Sequence, residues 1–474
     1  MSAVDTCVLP ETGSSIFLVL AGLTMLVIGL AVMRWVRASA GRMSVVLVPL
    51  VLLGGLVAAP AVGDPCVPAT TIPATITIPP VATDLSTTTV PSTTTVPLTT
   101  TTVVPLSPNL VLDIDTTLVG SDQADSISAA VVIPVFELGL FGEVDVRIDW
   151  GDGSTDNATA AGPFAHAYET AGAYTITVSG SLTGFGQEEH SFDNLPLRGA
   201  EYLTAVHSFG DLGIESLSSA FTGSINLVDI PSSLPATVTD LFGVFMGNPT
   251  FNQSVDSWDT SNVTNMSAMF YKATAFNQSL ISWDTGNVTD MSAMFLEAKL
   301  FNQSLSNWKT GNVTNMALMF GITNVFNQSL GNWDTSNVTN MERMFWESQE
   351  FNQSLSNWDT SNVSNMNSMF RVARGFNQSL GLLNIGLVVD MDGMLDSSGM
   401  SIANYDATLN GWSGQTGRQR FVVLGAVGLY FSETGRAAHA LLTGCGSRWQ
   451  ITDAGKFEPT PLSFDSNQTV DAQC

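Results

Sequence analysis

The chain has 474 residues, is 45% hydrophobic and only 12% charged, and sets 42 Asp and Glu against 16 Lys and Arg for a net charge of −26. That balance argues against a nucleic-acid binder, because phosphate contact needs clustered Lys and Arg and no long basic stretch is present. Four histidines and four cysteines are scattered, and the chain lacks His-Glu-x-x-His, Cys-x-x-Cys, Gly-x-Ser-x-Gly and Gly-Lys-Ser/Thr, so neither an enzyme nor a cofactor is expected.

Residues 1–63 read as a signal or membrane region. Leu9, Pro10, Glu11, Thr12 and Gly13 precede an apolar run at 16–33; Arg34, Arg37 and Arg42 then separate it from a second run at 45–62. Each run is near the lower length limit for a membrane span. The pentapeptide, first run and arginines together resemble a sortase cell-wall sorting signal, but at the wrong end of the chain. Cleavage after Thr12 would anchor only the short leading piece and release everything that follows. Two readings stay open. A start at Met33 makes the arginines and the second run a signal peptide ending near Ala61, with Met43 a further candidate start. Retention from Met1 makes a hairpin with its arginines in the cytoplasm. Both place Asp64 onward outside the cell, whether membrane-bound, wall-bound or secreted.

Residues 64–108 are rich in Thr, Pro and Val, which reads as an extended stalk. In 109–194, alternation at Val144, Val146 and Ile148 and at Tyr174, Ile176 and Val178 predicts half-buried strands, with a tight turn at Gly151-Asp152-Gly153. Asp149 and Asp152 alone give calcium too few oxygens, so a turn-stabilising role is expected of them. The run Val144 to Ser154, with His166-Ala-Tyr168 and Gly172-Ala-Tyr174, resembles a PKD domain. That resemblance implies an immunoglobulin-like β-sandwich serving as spacer or adhesion module.

From 195 to 400 the chain repeats itself. Phe-Asn-Gln-Ser begins at Phe251, Phe276, Phe301, Phe326, Phe351 and Phe376, a constant period of 25 residues. Such a period predicts stacked coils that bury their apolar faces against one another. Phe251, Trp258, Val263, Met266, Met269 and Phe270 recur in the next four copies and are the expected core, with a short strand near 262–266 and a helical turn at 266–270. Asn252 and Asn262 predict internal amide ladders. Lys309 interrupts the column Asp259, Asp284, Asp334, Asp359 and is expected to relieve its repulsion. The positions after Met-Phe vary, so recognition is sought there and nearby, at Tyr271, Arg343, Trp346, Arg371 and Arg374.

The repeat, with its Trp-Asp-Thr-Ser-Asn-Val-Thr-Asn-Met and Met-Phe segments, resembles the BspA-like leucine-rich-repeat surface proteins of bacteria. Residues 401–474, with Asn404-Tyr-Asp406, Gly411-Trp412 and Trp449 to Asp453, look like the family's closing module. The resemblance implies a leucine-rich-repeat-like solenoid, mainly β with short helical turns, at the outer face of a bacterial cell, adhering to an extracellular protein or glycan. Two alternatives stay open: a surface-layer component that binds copies of itself, and a carbohydrate-binding or hydrolysing protein. Outside the cell a Cys445–Cys474 disulfide is permitted, which leaves Cys66 over.

Overall fold

The computed structural model describes residues 108–118, 133–193 and 195–457. The sorting-like motif at 9–13, the two apolar runs, the stalk before Pro108 and Cys474 lie outside the described residues. The described fold is mainly β with few short helices, and none of those helices is long and apolar enough to cross a membrane.

Six strands form an antiparallel sheet: β1 (Leu110–Asp115), β2 (Val135–Asp149), β3 (Thr155–Ala158), β4 (Gly162–Ala167), β5 (Ala173–Phe185) and β6 (Leu203–Phe209), in the order β3-β2-β5-β1-β6 with β4 also on β2. The 15-residue β2 is long enough to hold β4 along Val135–Leu140 and β3 along Val146–Asp149. The alternation holds in part: Val146, Ile148, Ile176 and Val178 are buried, while Val144 and Tyr174 are half-buried and pack against the core. β6 extends the sheet past residue 194, where the sequence suggested that it ends.

Asp149 and Asp152 do act as turn residues. Asp149 Oδ1 accepts from Gly151 N at 3.0 Å, and Asp152 Oδ1 accepts from Ser154 N and Oγ at 2.9 and 2.6 Å. The other Asp152 oxygen meets His166 Nε2 at 2.8 Å, and the His166 ring stacks on buried Trp150 at 4.8 Å. Both carboxylates are thus committed to the turn.

From Ser216 onward each turn of chain touches the next through one parallel β-bridge, running Ser216, Asp240, Asn265, Asp290, Asn315, Asn340, Asn365, Asp390. Phe276 lies over Phe301 with centroids 6.0 Å apart and planes within 8°, and the neighbouring pairs repeat this spacing at 5.9–6.2 Å. A second column, Phe245 to Phe370, repeats at 5.5–5.7 Å, and its rings lie 3.9–4.2 Å from those of the first. Trp283, Trp308, Trp333 and Trp358 form a third. Each large ring buries roughly 150–250 Å², so these columns dominate the packing of every coil.

The segment after the bridge is neither strand nor helix. Its N–H groups alternate: Met266, Ala268, Phe270 and Lys272 donate to carbonyls of the next coil at 2.8–3.0 Å, while Met269, Tyr271 and Ala273 close i→i−3 turns within their own. Ala268 and Lys272 have φ of 55° and 62°, and the pair recurs in every coil to Ser368 and Val372. Apolar spacing at i, i+3 and i+4 suggested a helical turn because chained turns bring the same positions inward. A helix would keep all its N–H groups inside one coil and leave the stack without this ladder. The expected strand at 262–266 reduces likewise to one bridging residue.

The stack is covered at both described ends. At the front Gly184 of β5 bridges Ser216 and Ala205 of β6 bridges Asp229, so the sheet supplies the first pairing edges. At the back Leu424 bridges Met391, helices α1 (Ile402–Ser413) and α2 (Glu433–Thr443) pack against each other, and the short strands β7 (Val423–Leu424) and β8 (Gln450–Ile451) pair in parallel. Covering the terminal coils removes open edges that would template aggregation. Cys445, just beyond α2, is disulfide-bonded.

Candidate interaction surface

Constant residues define what the stack needs. The Asn252 column forms a ladder: Asn277 N donates to Asn252 Oδ1 at 2.9 Å and Gln278 Nε2 to the same oxygen at 3.1 Å, a pattern continued to Asn377. Asn287 Nδ2 reaches back to Ser261 O at 2.6 Å, and its equivalents do the same. These ladders are peripheral rather than internal, since Asn252 and Asn262 are exposed. Lys309 Nζ grips both oxygens of Asp284 at 3.0 and 2.9 Å. That bond, ahead of the Gly286 N–H, holds the Asp284 carboxyl below its usual range. Among the described residues, Asp334 receives no such bond from Lys309.

The variable stretch is more constrained than its sequence suggests. Its third position, Ala273, Ala298, Thr323, Ser348 and Ala373, is wholly buried, and only small side chains fit there. Where a hydroxyl enters, it is bonded: Thr323 Oγ1 donates to Phe320 O at 2.6 Å and lies 3.1 Å from Ser348 Oγ. Of the remaining variable side chains Leu296 is buried, and the others, half-buried or exposed, make the candidate surface.

Trp346 and Arg371 occupy the same position in consecutive coils, and Tyr271 holds that position three coils earlier. Trp346 is half-buried, with the Arg343 guanidinium 5.9 Å from its ring centroid. Arg343 also lies 3.7 Å from Glu342, which in turn accepts from Asn365 Nδ2 at 3.2 Å. Arg371 and Arg374 are exposed one coil on. The backbone beneath Arg374 is fixed by close approach, because a Cβ on Gly399 would lie 1.9 Å from the Arg374 carbonyl oxygen. Arg343, Trp346, Arg371 and Arg374 therefore fall within two adjacent coils.

Tyr271 is placed differently. Its ring meets Phe192 edge-on at 6.2 Å and lies under Lys272 Nζ at 4.7 Å. Tyr271, with Glu297 and Asp193, holds the Lys272 ammonium above its ordinary pKa. The segment carrying Phe192 also stacks His190 on Phe242 at 4.8 Å. No periodicity in the sequence pointed to this contact, because the segment lies outside the repeat.

Cations over or beside an aromatic ring, on a scaffold of fixed coils, suit an acidic or amphipathic partner. Among the described residues no group of three or more His, Cys, Asp or Glu could hold a metal ion. No curated protein and no solved structure matches the chain. Two overlapping stretches within the coils and the cap, residues 215–330 and 301–412, match the family described as "Mycoplasma protein of unknown function, DUF285".

Proposed function

We propose that this chain is a bacterial surface-displayed or secreted interaction protein in which a BspA-like, leucine-rich-repeat-like solenoid binds an extracellular protein or glycan. The β-sheet serves as a PKD-like spacer, and the region ahead of it supplies export or anchoring. Binding involves no catalytic step and no cofactor.

One observation carries this reading. The stack fixes its aromatic and Asn columns coil after coil, yet in the coils of Trp346 and Arg371 it places one large aromatic and three arginines where packing asks for nothing so large. Aromatic residues and Arg on a rigid support lose little entropy on binding, and they are the residues most enriched in hot spots. The match to a repeat family is consistent with this role.

The test is capture of extracellular proteins and a glycan array by the full chain, beside a Trp346→Ala, Arg371→Ala double variant. Capture is expected to fall at least about tenfold, equivalent to the loss of one hot spot, with the melting curve unchanged. Equal capture by both proteins removes the surface from consideration.

A further inference from the structure

The last coil departs from its predecessors on the outside. Where earlier coils carry Asn262 to Asn362 and Thr264 to Ser364, the coil at 376–400 carries Leu387 and Val389, 50% and 62% exposed. The change is not required by packing, since both positions face outward in every coil. Beside them stands Phe421, 63% exposed with φ of 64°. The Met391–Leu424 bridge and a 2.9 Å bond from Gln419 Nε2 to Gly386 O put the segment carrying Phe421, which leads into β7, alongside Leu387.

The support under Phe421 is built residue by residue. Arg418 donates through Nε to Ser447 Oγ at 3.0 Å and through Nη1 to Ser413 O at 3.1 Å. Trp449 Nε1 donates to Gln419 O at 2.9 Å, and Phe421 N donates to Ser447 O at 3.0 Å. A left-handed aromatic residue persists only where its surroundings over-determine it, and such strain gathers at clamps and binding sites. The guanidinium groups of Arg420 and Arg448 lie 5.4 and 5.7 Å from the Phe421 ring. Among the described residues neither has a carboxylate partner, whereas Arg436 and Lys456 both meet Glu433.

Charge identifies the occupant. Residues 401–457 contain five basic and three acidic residues, but residues 214–400 contain six and sixteen. We propose that the Phe421 surface docks against the acidic coil flank of a second copy of this chain. Two such surfaces face to face would oppose guanidinium to guanidinium, so the contact is heterologous and propagates. Exposed Leu300 and Val325, adjacent on the coils and bordered by Glu347 and Glu350, offer the receiving patch.

Sedimentation velocity of the full chain over a range of concentration and salt tests this. Assemblies that grow with concentration and dissolve with salt are expected. Arg420→Glu with Arg448→Glu should weaken association at least about tenfold without changing the melting curve. Mixing that protein with a Glu347→Arg, Glu350→Arg protein should restore mixed pairs. A wild type that stays monomeric throughout, as it would if residues 458–474 with their three acids cover the patch, overturns the proposal. So does assembly indifferent to the arginine reversals, or a closed dimer that grows no further.

Discussion

Residues forced into left-handed backbone are the stack's most informative positions. Gly fills them at Gly223, Gly243, Gly247 and Gly393, whereas the inner coils use Ala268, Ala293, Leu318, Ile322 and Val372, among others. The left-handed conformation costs an L-residue about 1–2 kcal/mol, and Gly adds roughly 0.5–1 kcal/mol of backbone entropy loss. Ala293→Gly is therefore expected to raise stability by about 0.5 kcal/mol in a denaturant titration. In a helical turn the same change would lower it by about 1 kcal/mol. The sign of that measurement separates the two local structures. The Met-x-x-Met-Phe spacing was legible in the sequence, but it could not tell them apart, because both turn the same three side chains inward.

At the scale of the coil, the period and its columns were legible, since every residue named as core, from Phe251 to Phe270, is buried. What one copy does for the next was less so. Trp283, Trp308, Trp333 and Trp358 each donate Nε1 to the carbonyl of Val255, Leu280, Leu305 or Leu330 in the preceding coil, at 2.9–3.2 Å. The cap continues the device, with Trp412 donating to Leu380 O at 2.9 Å from a helix that has no repeat sequence. A buried carbonyl without its donor costs about 1–3 kcal/mol. Trp308→Phe should consequently destabilise by about that amount, beyond the modest loss of volume. Hydrogen exchange should show faster opening of the coils beside residue 308 than of those near the sheet, because stability in a stack is mostly a sum of neighbour terms. Uniform acceleration across all coils would mean that the stack opens as one unit. Junctions with non-repeating parts were the least legible feature. The pairing of Gly184 with Ser216 joins segments whose patterns have nothing in common, and only three-dimensional proximity reveals it.

For the whole molecule, the large negative charge raises the question of how carboxylates stay ionised at close quarters. They do so through local donors. Asp152 is lowered to about 2, mainly by the Ser154 hydroxyl, with the Ser154 N–H and His166 adding to it against a burial penalty. Asp259, Asp334 and Asp359 are lowered by hydrogen bonds from Ser261, Ser336 and Ser361, and Asp284 by Lys309. At Asp113 and Asp453 burial is the largest effect and acts upward, but bonds from Thr175 and His207, and from His439 and Tyr405, outweigh it. Repulsion within the column does show, since Asp284 raises Asp259 and Asp334 raises Asp359, yet the donors prevail. The sign follows from linkage. A carboxylate whose folded pKa lies below its unfolded value of about 3.9 contributes stability above that value and loses it as pH falls through the folded pKa. Relief of self-repulsion acts the other way as the net charge shrinks. The melting temperature should accordingly stay level from neutral pH to about 4, then fall between about 4 and about 2, the interval set by Asp152. Calorimetry across that range checks it, with Asp152→Asn expected to lower the plateau and to flatten the lower part of the descent. A melting temperature that instead rises as pH falls from about 4 to about 2, and rises less in Asp152→Asn, would show that these carboxylates are held above their ordinary range, and the donor geometry around them would then have the opposite consequence to the one derived.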